Sequence, residues 1–253
     1  SGDYDKVSEV LDKGVDPGTC DTDGKSVLMK AASGKTMEHK RILDLLLSKQ
    51  AKTDYTDKYN MTALMYSIRG LGLEGVKSII ASSSKETNNI IDVYGQSALH
   101  YALYLKKEPI AIYLTEQGVA LNEVDLYKMS PMFIAIKNNF LEAIVSMIKM
   151  GYRVDYQTPA SRQVKLIANS EGKNYVSSIK TDSHTALMKS AIYKCDAKIT
   201  DTILKEKPDV NLQDRNGNHA LNHASTSCQI DKVKLLVEHG SDPLLVNFDG
   251  DNA

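Results

Sequence analysis

The sequence predicts an all-α dominated solenoid, built from stacked helix-turn-helix units with short β-hairpin tips, and three observations carry that expectation. The first is recurrence. The segment Asp92-Val93-Tyr94-Gly95-Gln96-Ser97-Ala98-Leu99-His100-Tyr101-Ala102 returns in altered form along almost the whole chain. Its sixth position falls on Ser26, Thr62, Ser97, Ser130, Thr185, His219 and Asn252, at steps of 36, 35, 33, 55, 34 and 33 residues. A repeat of this length marks units that are too small to bury an apolar face alone and that stack so that neighbours bury it.

The second observation is the turn that opens each unit. Asp21-x-x-Gly24, Asp92-x-x-Gly95 and Asp214-x-x-Gly217 are complete, while Asp57-x-x-Asn60 and Asp125-x-x-Lys128 keep the Asp and lose the Gly. Glycine there fits a left-handed backbone, which Asn tolerates and Lys adopts poorly. In the fifth copy Lys180 replaces the Asp and Ser183 the Gly.

Helix punctuation is the third. Ser26, Thr62, Ser97, Ser130 and Thr185 stand where a hydroxyl can cap the first amides of a short helix. Small residues follow, Ala31, Ser67, Ala102, Ala135, Ser190 and Ala224, where another helix must approach closely. A second helix then carries apolar residues at helical spacing: Ile42, Leu45 and Leu46; Ile110, Tyr113 and Leu114; Ile144, Met147 and Ile148; Val233, Leu235 and Leu236. Gly118, Gly151 and Gly240 end such helices as left-handed caps.

Six copies of a Thr-Pro-Leu-His-x-Ala-like pattern near a 33-residue period resemble the ankyrin repeat. The resemblance implies one array over residues 1–253, with a partial repeat at 1–20, repeats from about 21, 57, 92, 125, 180 and 214, and a partial repeat at 247–253. Both ends fall inside a repeat, so the chain is expected to be part of a longer array. The long step holds an insertion at about 158–180. There Val164–Ala168 and Tyr175–Ile179 are β-prone runs around a glycine-containing segment, 169–174, which predicts a hairpin finger, with a surface loop as the alternative. Arg162, Lys165, Lys173 and Lys180 against Glu171 make it locally basic.

Composition narrows the function. A net charge of −1 gives no global attraction to nucleic acid or anionic membrane. There is no long apolar run and no signal-peptide pattern, and three cysteines do not form a disulfide framework. These features lead to the expectation of an intracellular, cytoplasmic protein, or alternatively an effector secreted into a host cell.

Residues that the repeat does not require carry the functional reading. Thirteen Tyr stand against three Phe and no Trp. Tyr59, Tyr94 and Tyr127 occupy one slot, two residues after the turn Asp, in consecutive copies. The resemblance places that slot at the hairpin tips, where ankyrin repeats contact partners, and predicts a ladder of rings. Tyr66, Tyr101 and Tyr104 are expected to face the concave groove, with Tyr193 extending the trend and Lys30, Arg69, Lys137 and Lys189 making it amphipathic. Tyrosine offers large contact area, a polar tip and few rotors. Packing of tip against tip is the structural alternative for the ladder.

No phosphate loop, nucleophile elbow or carboxylate pair stands out, so no catalytic residue and no cofactor are expected. His219 and His223 have a metal-compatible spacing but lack a third ligand, Cys195 and Cys228 read as thiols near one another, and no metal site is assigned. The favoured function is a protein-protein interaction module, a scaffold or adaptor binding another protein or peptide through the Tyr-rich groove and tips. The alternative is a targeting or regulatory segment of a larger protein, such as a kinase, channel, acyltransferase or host-directed effector. Nucleic-acid binding would need a positive groove, and membrane insertion is not expected.

Overall fold

The structure is a computed structural model that describes residues 3–158, 161–167, 174–180 and 182–253, with the backbone alone over 161–167 and 174–180. It divides into two compact units, residues 1–123 with 165–175 and residues 124–164 with 176–253. The first unit holds helices α1 (Tyr4–Asp12), α2 (Val27–Ser33), α3 (Met37–Ser48), α4 (Ala63–Arg69), α5 (Leu73–Ser82), α6 (Lys85–Asn88), α7 (Ala98–Tyr104) and α8 (Glu108–Glu116). Helices α9 (Pro131–Asn138), α10 (Leu141–Lys149), α11 (Ala186–Ile192), α12 (Ala197–Leu204), α13 (Ala220–Thr226) and α14 (Ile230–Glu238) belong to the second. Strands β1 (Ser161–Ile167) and β2 (Asn174–Lys180) pair with each other between α10 and α11. Of the segment expected to turn, 169–174, residues 169–173 lie outside the described residues, as do the side chains of Arg162, Lys165, Glu171, Lys173 and Lys180.

Helices of seven residues are too short to hold themselves in water, so capping and packing must hold them. Each hydroxyl cap does its part. Ser26 Oγ accepts from Met29 N–H at 3.2 Å, Thr62 Oγ1 from Met65 at 3.4 Å, Ser97 Oγ from His100 at 3.4 Å, Ser130 Oγ from Phe133 at 3.3 Å and Thr185 Oγ1 from Met188 at 3.2 Å. The first helices then pack in series, α2 on α4 on α7 in one unit and α9 on α11 on α13 in the other. They are buried on several sides, as Ala63, Leu64, Met65, Ser67 and Ile68 of α4 show.

Second helices bury one stripe. In α3 it is Ile42, Leu43 and Leu46; in α8 Ile110, Ala111 and Leu114; in α10 Ala143, Ile144 and Met147. Leu45, Tyr113, Ile148, Val233 and Leu235, expected in that stripe, are half-buried. Each second helix packs both on its own partner and on its neighbour, as α5 does on α4 and α3. Gly118, Gly151 and Gly240 take the left-handed conformation at φ +75°, +91° and +87°.

The tips are short and linked to one another. A single bridge, Cys20 with Ser26, is the only β-type pairing outside β1 and β2 among the described residues, so the tips are turns rather than hairpin strands. Neighbouring tips are joined by main chain: Lys58 N–H donates to Asp23 O at 3.0 Å, Val93 N–H to Tyr59 O at 3.0 Å and, in the second unit, Phe248 N–H to Asn216 O at 3.1 Å. Lys128 and Ser183 adopt φ +62° and +57° where the pattern prefers glycine. No described helix is long and apolar enough to cross a membrane.

Candidate functional site

The turn aspartates build the surface. One carboxylate oxygen, Oδ1, accepts two backbone N–H groups of its own turn. For Asp57 they come from Tyr59 and Met61, both at 2.9 Å; for Asp92 from Tyr94 and Gln96, both at 2.8 Å; for Asp125 from Tyr127 at 2.9 Å and Met129 at 3.0 Å. Asp214 holds Asn216 at 2.8 Å and Asn218 at 3.0 Å in the same way. This bond pattern positions the residue two after the aspartate at the outermost point of the tip.

The other oxygen reaches the first helix of the same repeat, nine residues on. Lys30 Nζ lies 2.8 Å from Asp21, Tyr66 Oη donates to Asp57 at 2.7 Å, Tyr101 Oη to Asp92 at 2.8 Å and His223 Nε2 to Asp214 at 2.9 Å. Burial, with the Asp57 carboxylate close by, raises the Tyr66 hydroxyl well above the usual phenol range, and burial next to Asp92 does so for Tyr101. These phenols are therefore protonated donors that brace the turns. Tyr101 is only 8 % exposed. Its expected place on an open groove is corrected: the bond to Asp92 draws its ring inward, and the Arg69 guanidinium covers it at 5.3 Å. Tyr66 is half-buried, with the Lys25 ammonium 5.0 Å from its ring centre.

Open surface lies elsewhere. Tyr59 and Tyr94 are each 47 % exposed, and they occupy equivalent points of adjacent tips in the first unit. Tyr127, in the second unit, is 65 % exposed. Arg69, Tyr104 and Lys137 share a slot twelve residues after the turn Asp, one helical turn past the bracing slot, and all three are exposed. Lys58 adds charge beside Tyr59, its ammonium 5.3 Å from the ring and 3.1 Å from Asp23. Lys189 is half-buried among aromatic rings, 5.4 Å from Phe133 and 5.6 Å from Tyr193, and burial lowers its pKa. Tyr193 is itself half-buried, and burial raises its pKa.

One cluster in the second unit escaped the sequence reading. His184 Nε2 lies 3.3 Å from the same Asp214 Oδ2 that takes His223 at 2.9 Å, and the two imidazoles meet edge to face at 5.4 Å. Burial alone would raise the Asp214 carboxyl, but hydrogen bonds from both imidazoles and from Asn216 and Asn218 hold it well below the usual carboxylate range. Burial pushes the His184 imidazole down, against the pull of Asp214. The sequence signal was present but split between repeats: one His lies four residues after a turn position and the other nine after the next. His219, paired with His223 in the sequence reading, instead points to Asp242 O at 3.1 Å. Cys195 and Cys228 line one cavity with Lys232, whose Nζ is 3.3 Å from Cys195 Sγ.

The family model described as ankyrin repeats (3 copies) matches residues 1–92, 71–158 and 160–247. The chain belongs to the ankyrin-repeat family. Among viral relatives, it is 38% identical over 71 residues to ankyrin repeat protein L86 of Acanthamoeba polyphaga mimivirus, across 26% of this chain and 12% of that one. It is 23% identical over 217 residues to ankyrin repeat protein FPV022 of fowlpox virus (strain NVSL), across 71% of this chain and 37% of the relative. The chain thus spans well under half the length of these relatives. Among solved structures, the ankyrin repeat domain of Bcl-3, a member of the IkappaB family, superposes with a TM-score of 0.71 at 17% identity, covering 91% of this chain and 92% of that one. The human ASB11 ankyrin repeat domain gives 0.65 at 16% identity, with 90% of each chain covered. At such identity these structures establish the fold, a helical repeat solenoid of a kind that generally mediates protein–protein interaction.

Proposed function

We propose that the chain is a protein-binding module whose contact surface is centred on the tip tyrosines Tyr59 and Tyr94, with Tyr127 offering the same chemistry on the second unit. The observation that carries this reading is the exposure of Tyr59 and Tyr94, 47 % each, in turns braced by buried aspartates. A rigid turn presenting an aromatic ring loses little entropy on binding, which is how tyrosine serves recognition. Arg69 and Tyr104 extend the surface along the first helices of the first unit, and Lys137 holds the same slot in the second. Lysine and arginine beside the rings favour a partner segment that alternates apolar anchors with acidic side chains.

The test is a comparison of captured proteins between the native chain and a Tyr59→Ser, Tyr94→Ser, Tyr127→Ser variant. Loss of a specific partner with an unchanged thermal melt supports the tips as the site. Equal recovery moves the site away from them, and a collapsed melt shows that the rings hold the stack. The greater length of the viral relatives supports a second reading, in which this array is the targeting segment of a longer, host-directed protein.

A further inference from the structure

We propose that His184, Asp214 and His223 form a site for a divalent transition-metal ion of the zinc class. The nitrogen and carboxylate ligand atoms of the three residues all lie within 4.8 Å of one another. Both Nε2 atoms already aim at Asp214 Oδ2, at 3.3 Å from His184 and 2.9 Å from His223. Zinc bonds of about 2.0–2.2 Å in a tetrahedron set ligand atoms roughly 3.3 Å apart, so the two nitrogen–oxygen contacts need change by only a few tenths of an ångström, while the two nitrogens, which lie within 4.8 Å of each other, would settle to the same spacing. Two imidazoles and one carboxylate suit zinc, cobalt or nickel, whereas magnesium and calcium want oxygen donors.

The surroundings are those of a supported site. Asp214 Oδ1 is held by the N–H groups of Asn216 and Asn218, which fixes the carboxylate. His184 Nδ1 lies 4.0 Å from Asp182 Oδ2, longer than a hydrogen bond, and closing that gap would let an outer carboxylate orient a metal-bound imidazole. When the ion binds, the proton that a neutral imidazole now lends to Oδ2 moves to Nδ1, and the Nε2 lone pair goes to the metal. His184 and Asp214 are buried, and His223 is partly exposed and is the side from which an ion would enter. Lys189 is the nearby cation that opposes binding, and Asp182 offsets it.

The repeat frame does not call for this set. In the first unit the corresponding residues are Lys25 with Asp57 and Tyr66, and Met61 with Asp92 and Tyr101, and neither set offers an imidazole. The ion would tie the turn before α11 to α13 and its turn, and three protein ligands leave a fourth position for water or a group brought by a partner.

The experiment uses the intact chain stripped with a chelator and titrated with Co²⁺, then Zn²⁺. One equivalent of Co²⁺ should give the visible absorption of a four-coordinate site, and Zn²⁺ should displace it and raise the melting temperature. His184→Ala should weaken binding at least tenfold, Asp182→Asn about tenfold, and His239→Ala, at an exposed position, not at all. His223→Tyr installs the side chain that braces Asp57 and Asp92, so it keeps the fold while removing an imidazole, and it should also abolish the cobalt band. Absence of the band in the native chain, or an affinity unchanged in His223→Tyr, overturns the proposal.

Discussion

In the first unit the turn aspartates Asp57 and Asp92 each take one phenol on the oxygen that faces the helix, while in the second unit Asp214 takes two imidazoles on the equivalent atom. The backbone half of the arrangement is the same in both, two N–H groups on Oδ1. The repeat thus fixes one carboxylate oxygen to shape the turn and leaves the other open to whatever the slot nine residues on supplies. Tyrosine there yields a neutral brace; histidine, joined by His184 from the preceding repeat, gathers titratable and ligating groups at one point.

Removing the carboxylates gives the largest effects and tests whether the two sites differ in energy as well as chemistry. Asp214→Ala strands two turn N–H groups and two imidazoles, and should cost about 3 kcal/mol. Asp92→Ala, which strands two N–H groups and one phenol, should cost about 2 kcal/mol. Urea unfolding followed by circular dichroism measures both, and equal losses would show that the shared turn bonds account for the whole effect. Asp21→Ala should cost least of the three, since that carboxylate faces solvent and meets an exposed Lys30.

Backbone conformation at the same turns comes next. Gly217 sits at φ +81°, and a Cβ there would lie 2.7 Å from Phe248 N. Gly217→Ala should destabilise by about 2 kcal/mol, the left-handed penalty plus the displaced neighbour. Lys128 holds the same conformation without the glycine, so Lys128→Gly should gain up to about 1 kcal/mol. A thermal melt in which Lys128→Gly is neutral would mean that unfolded-state entropy cancels the relief.

The tyrosines separate more finely. Tyr101→Phe loses a buried hydrogen bond to Asp92 and should cost about 1–2 kcal/mol, whereas Tyr94→Phe should stay within about 0.5 kcal/mol. A partner that binds through the tips should reverse that ranking in affinity.

Much of this was legible in the sequence, because period, caps and turn aspartates are local signals. Ser26, Thr62, Ser97, Ser130 and Thr185 cap the helices as their spacing predicts. The exposed Tyr59, Tyr94 and Tyr127 could be placed from the frame alone. What failed was the inner slot: nothing in the spacing of Tyr101 shows that its hydroxyl turns back to Asp92, so groove-facing and turn-bracing look alike in one dimension. The His184 pairing failed for a related reason, since residues 184, 214 and 223 meet only when neighbouring repeats stack. His219 and His223 stand four apart at the start of one helix, and stacking gives them different partners, Asp242 O and the Asp214 carboxylate.

The smallest effect concerns His219, which stands where five other repeats have a hydroxyl cap. Its ring is buried, Nε2–H donates to Asp242 O at 3.1 Å, and Nδ1 has no hydrogen-bond partner. Protonating Nδ1 would place an unpaired N–H in the interior. Burial accordingly lowers this imidazole below its usual 6.5, against the opposing bond to Asp242. A histidine depressed in the folded state binds its proton more readily when unfolded, so stability rises with pH across the window between the folded value and about 6.5, and falls as the solution is acidified through it. His184, lowered for the same reason, adds to the slope in the same direction. His219→Thr restores the hydroxyl cap and removes one of the two contributions, so the difference in melting temperature between pH 7.5 and pH 5.5 should shrink without vanishing. An unchanged difference would assign the acid sensitivity of this unit to His184 alone, and therefore to the imidazole pair around Asp214 that the first unit lacks.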